Sequence, residues 1–193
     1  MSKSRLEAFS DGVFAIILTI MVLELKVPEH STWNALQPLI PTFIAYVVSF
    51  ILIFSFWVTH HWMLVQLKEP NVRVLWINGL LLLTMSFIPF TTGWVGRFPH
   101  SAPPEILYGL SFLLTNLSFR LFSTEINKGI TKRVIPSAGN LAFWSLIGVQ
   151  IIVSFLAIWW PEIAFLGVSV TALFWVALEL LLPNIRNTQS SRR

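Results

Sequence analysis

The chain contains no cysteine. That excludes disulfides, iron–sulfur clusters and thiolate zinc sites. Charge is also scarce: Asp, Glu, Lys and Arg make up 11% of the residues, against roughly 25% in an average soluble domain. No Gly-rich phosphate loop, HExxH or GxSxG is present, and no nucleophile–base pair is evident, so the sequence does not read as an enzyme. The net charge of +4 is no nucleic-acid footprint, because the basic residues flank apolar runs instead of forming one patch. The first apolar stretch is long, carries Asp11 and lacks a small-residue cleavage site after it, so no cleavable signal peptide is expected.

What the chain has is apolar length. Hydrophobic residues make up 55% of its 193 positions. They come in runs of about 20, enough to cross ~30 Å of hydrocarbon at ~1.5 Å per residue. A soluble core of this size cannot hide so much apolar surface. The expectation is an all-α membrane protein with six transmembrane helices. The first span runs from about Leu6 to Leu25. The second starts after Pro38 and Pro41, which suit a helix's first turn, and reaches about Leu67. The third covers about Val72 to Thr92, and the fourth Pro104 to Phe122 or beyond. The fifth covers about Ala138 to Trp160. The sixth runs from Pro161 to Leu182, and the tight turn before it predicts an antiparallel hairpin. Residues 1–183 read as one six-span domain and residues 184–193 as a short polar cytoplasmic tail.

Basic residues set the orientation. Lys3, Arg5, Lys68, Arg73, Arg120, Lys128, Lys132, Arg133, Arg186, Arg192 and Arg193 fall on one side, eleven of the thirteen. Only Lys26 and Arg97 fall on the other, so the positive-inside rule places both termini in the cytoplasm. Trp33, Trp94, Trp159 and Trp160 lie near outer span ends, as an aromatic belt does.

Span one carries polar residues where lipid disfavours them. An intramembrane carboxylate such as Asp11 costs at least ~2.5 kcal/mol and calls for a partner. His60 and His61 lie ~10 Å inside the cytoplasmic end of span two, and Asn78 ~9 Å inside span three. Ser10 and Asp11 share that depth. These five side chains are therefore expected to form one buried hydrogen-bonded cluster. Three roles stand open for it: a structural clasp, a proton- or pH-sensing site, and a metal or catalytic site. Adjacent histidines point ~100° apart on a helix, which disfavours chelation.

The opposite side of span one is different. With Ile16 at zero, Ile20 falls at roughly +40°, Leu23 at −20° and Thr19 at −60°, while Asp11 falls roughly 140° away. The stripe consists of branched aliphatics with one hydroxyl at its edge. Periodicity alone does not distinguish a pore lining from a lipid contact.

Arg5-x-x-x-Phe9-Ser10-Asp11 resembles the RxxxFSD signature that opens span one in the transmembrane protein 175 family of potassium channels. Phe56-Trp57-x-x-His60-His61 is similar to the family's second-span motif, and Asn78 with Pro89-Phe90-x-Thr92 to its third span. One copy of the signature is present, as in single-repeat prokaryotic members. The resemblance implies a homotetramer in the bacterial inner membrane whose span-one helices line a central pore. Potassium is the implied permeant ion, with no cofactor, no resident metal, no nucleic acid and no small-molecule substrate. The implied constrictions are Ile16, Ile20 and Leu23, and the implied selectivity residues Ile16 and Thr19. Arg5, Phe9, Ser10 and Asp11 of the motif, with His60, His61 and Asn78, are implied to pack and hydrogen-bond between helices. No re-entrant filter loop follows span one, so a ring of Ile16 side chains would act as a dewetting gate and steric filter.

The competing expectation is a proton-coupled secondary transporter using Asp11, His60 and His61. Such carriers show internal repeats and broken midplane helices, which span one lacks. A scaffold without transport is a third. Glu24 near the outer mouth either concentrates cations or pairs with Lys26. Arg5 projects near the stripe and is expected to be tied to a carboxylate or a helix C-terminus. Glu179 is an unexplained acid with Arg120 or Arg186 as candidate partner.

Overall fold

The structure, a computed structural model, describes residues 2–128 and 138–181, and among these every regular element is a helix. The expected tail, Lys132, Arg133 and the side chain of Glu179 lie outside the described residues. Seven helices follow in order: α1 Lys3–Ile20, α2 Ile40–Gln66, α3 Val72–Ser86, α4 Ile88–Arg97, α5 Ala102–Lys128, α6 Ala138–Leu156 and α7 Glu162–Leu181. Lys3–Glu24, Trp33–Gln66, Val72–Arg97 and Ala102–Lys128 are long and apolar enough to cross a membrane. Helices α6 and α7 pack against each other across a short connection, forming the expected hairpin.

Helix α1 buries Leu6, Ser10, Phe14 and Ile17, and Met21 continues the row. The spacing of three or four residues puts them on one face, which packs on α2 and α3. After Ile20 the helix tightens into a 3₁₀ turn over Met21–Glu24. Helix α5 forms the centre of the molecule, packing against α3, α4, α6 and α7.

The third span is not one helix. It breaks at Phe87 into α3 and α4, because Pro89 has no N–H to continue the ladder and its ring clashes with the preceding turn. Hydroxyls occupy carbonyls beside the break: Thr84 Oγ1 donates to Leu81 O at 2.8 Å and Ser86 Oγ to Leu83 O at 2.7 Å. The offset seats α4 against the 3₁₀ end of α1 and the start of α2. Two glycines permit that approach: a Cβ at Gly93 would fall on the Glu24 carboxylate, and one at Gly96 on Thr42.

Candidate functional site: the two faces of the first helix

On the sealed face, Ser10, His60 and Asn78 are fully buried and meet. Asn78 Nδ2 donates to Ser10 Oγ at 3.0 Å, and His60 Nε2 lies 2.8 Å from Asn78 Oδ1. With the amide nitrogen committed to Ser10, the amide oxygen accepts, so His60 carries its proton on Nε2. The His60 ring sits between Phe14, with centroids 5.3 Å apart, and Phe122, on which it stacks at 4.8 Å.

Asp11 and His61 do not join this group. Trp57 Nε1 donates to Asp11 Oδ1 at 2.8 Å, while His61 is exposed, its ring 6.1 Å from Trp57. The reason is helical pitch. Ser10 and Asp11 are ~100° apart on α1, as are His60 and His61 on α2, so each adjacent pair is split between two directions. No hydrogen bond joins Asp11 to His60 or His61, so these residues form no continuous relay. Among the described residues no group of three or more His, Asp or Glu side chains is placed to hold a metal ion.

Trp57 also belongs to a ladder of rings along α2. Phe43, Tyr46, Phe50, Phe54, Trp57 and His61 follow one another with centroid spacings of 5.5–6.5 Å. Its member Trp57, and not a histidine, supplies the partner of the intramembrane acid.

On the open face, Ile16 is 56% exposed, Ile20 43% and Leu23 66%. Thr19 is exposed beside them, its Oγ1 donating to Ala15 O at 2.8 Å and Ile16 O at 3.0 Å. That uses the hydroxyl hydrogen and leaves the oxygen's accepting capacity uncommitted. Phe9, the motif aromatic, is 59% exposed on the same side.

Two charges depart from expectation. Arg5 is exposed; the contacts expected of it belong to Lys3, whose Nζ donates to Val65 O at 2.8 Å and lies 3.7 Å from Glu7. Glu24 turns away from the stripe to rest on Gly93. A 3₁₀ turn advances ~120° per residue instead of ~100°, which carries residue 24 towards the protein and keeps Leu23 outward. Lys26 instead reaches Leu23 O at 3.4 Å.

Sequence reasoning missed Glu105. It is buried in the first turn of α5 and its Oε2 accepts the Phe165 N–H at 2.8 Å, one of the free donors at the start of α7. An acid just after Pro103 and Pro104 in an apolar setting was the available signal.

Residues 5–89 match the family described as endosomal/lysosomal potassium channel TMEM175. A potassium channel of Chryseobacterium sp. (strain P1-3) is 44% identical over 126 residues, covering 65% of this chain and 66% of that protein. A potassium channel of Chamaesiphon minutus is 36% identical over 124 residues, covering 60% and 61%. In both cases the chain spans less than two thirds of the relative's length. The crystal structure of a lysosomal potassium-selective channel TMEM175 homolog from Chamaesiphon minutus superposes with a TM-score of 0.80 at 28% identity, covering 90% of this chain and 96% of that one.

Proposed function

Since this chain belongs to the TMEM175 family, as a multi-pass protein of a bacterial membrane, we propose that it is a potassium channel whose pore is lined by α1. The observation that carries this reading is the exposed stripe of Ile16, Ile20 and Leu23, opposite a face sealed by hydrogen bonds. One chain supplies one such helix, so several copies are needed to enclose a path, and a homotetramer is the assembly proposed. Ile16, Ile20 and Leu23 then form stacked apolar rings that exclude water until an ion is driven through. Selectivity falls to Ile16, where the ion sheds water, and to Thr19, whose hydroxyl oxygen accepts from water or coordinates the ion. Ser10, His60 and Asn78, with Asp11 on Trp57, fix the rotation of α1 so that the stripe faces the axis. Arg5 lies at the cytoplasmic mouth.

The test is reconstitution of the purified protein in planar bilayers under a potassium/sodium bi-ionic gradient, with Ile16→Asn alongside. The expected result is a reversal potential shifted towards potassium in the parent and a larger, less selective current in the variant. A folded tetramer that passes no current in either form overturns the reading.

A further inference from the structure

Gly12 lacks the usual reasons for a glycine. Its backbone is ordinary helix, since among the described residues no glycine has positive φ, and a Cβ built on it would meet nothing within 4 Å. Glycine inside a helix costs about 1 kcal/mol relative to alanine. Neither conformation nor packing within the chain accounts for it.

Its position does. With Ile16 at zero, Gly12 falls at roughly −40° and Phe9 at roughly +20°, within the stripe of Ile16, Ile20 and Leu23. Phe9, Ile16 and Leu23 are seven residues apart in turn, and each is more than half exposed. The stripe therefore continues towards the cytoplasm beyond the constrictions, first through a position with no side chain and then through an aromatic ring.

We infer that Phe9 and Gly12 are lining residues of the same path, Phe9 forming an inner ring and Gly12 the wall of a chamber that holds a hydrated monovalent cation below Ile16. This rests on the pore reading of α1. The rise from Phe9 to Ile16 is about 10 Å, with Gly12 between them. The missing side chain makes this the widest level of the stripe, and it bares backbone carbonyls whose second lone pairs accept from the ion's water. Phe9 below presents ring faces, which attract a cation without stripping its water as a carboxylate ring would. The ion reaches Ile16 from a wet compartment, and dehydration is confined to one step.

The absence of cysteine makes a direct test available. Single cysteines are placed at Phe9, Gly12, Ile16 and the buried Ile17, and a positively charged methanethiosulfonate is applied from the cytoplasmic side of the reconstituted channel. Phe9→Cys and Gly12→Cys are expected to react faster than Ile16→Cys, with most of the current lost, and high potassium should slow the Gly12→Cys reaction several-fold. Ile17→Cys should not react. Reaction at Ile16→Cys without reaction at Phe9→Cys and Gly12→Cys overturns the chamber while leaving the pore helix in place. No reaction at any of the three overturns the pore reading itself. Gly12→Leu gives the second arm: a several-fold fall in conductance with the assembly intact supports the chamber. Loss of the assembly on gel filtration, with unchanged conductance in the remaining channels, assigns Gly12 to packing between copies and overturns it.

Discussion

Both sides of α1 are largely apolar, but only one is fastened. The inward side sets Ser10, bonded to Asn78, among Leu6, Phe14, Ile17 and Met21, with Asp11 at its margin on Trp57, and the outward side carries Ile16, Ile20 and Leu23. In water the burial of apolar groups would drive folding; in hydrocarbon that drive is absent between helices, and small polar contacts and close packing take over. The inward side, with its few hydrogen bonds, therefore acts as the fastener, and the outward side is left exposed. A helix built this way has its rotation set on the face opposite the stripe of Ile16, Ile20 and Leu23.

The comparison can be broken from either side. The largest effect is expected from Ile16→Asn, which puts an amide on the open face: current rises several-fold and the reversal potential moves towards zero in the bi-ionic bilayer, while the melting of the assembly in detergent barely changes. Asn78→Leu attacks the sealed face, leaving His60 and Ser10 without their shared partner. It should destabilise the protein by about 1–3 kcal/mol, read as earlier thermal loss of the assembly, with selectivity altered only as α1 loses its rotation. Gly93→Val forces the Glu24 side chain off α4 at a cost of about 1–3 kcal/mol. The double variant Glu24→Ala/Gly93→Val should recover part of that loss, and simple additivity in the melting temperatures would show that the two do not touch. Trp57→Phe removes the donor to Asp11 for about 1 kcal/mol. The smallest change is expected from Thr19→Val, a shift in reversal potential below that of Ile16→Asn, with stability unaffected.

The legible parts of this molecule are those governed by depth and period. Span limits followed from runs of apolar residues, and the meeting of Ser10, His60 and Asn78 followed from counting residues inward from the cytoplasmic ends. The partner of Asp11 was not legible, because depth arithmetic gives a level and not a direction, and Trp57 entered only as part of the second-span motif. Pro89 marked the break in the third span, but an apolar run on both sides of it concealed the split. The change to 3₁₀ pitch at Met21 has no sequence marker at all. It decides where Glu24 points, so neither of the two roles open to that acid, at the outer mouth or on Lys26, leads to its place on Gly93. The partner of Glu105 was not legible for another reason: it is a backbone N–H 60 residues away.

The fastening of α1 also has a consequence in time. Asp11 waits 46 residues for Trp57 and Ser10 waits 68 for Asn78. At about 5–20 residues per second, the second interval lasts roughly 3 to 14 s on the ribosome. For the first 46 residues of that period neither the carboxylate nor the hydroxyl has its hydrogen-bond partner, and the hydroxyl waits a further 22. Asn78 bonds both Ser10 and His60, so the arrival of the third span completes the fastening of α1 and α2 in one step.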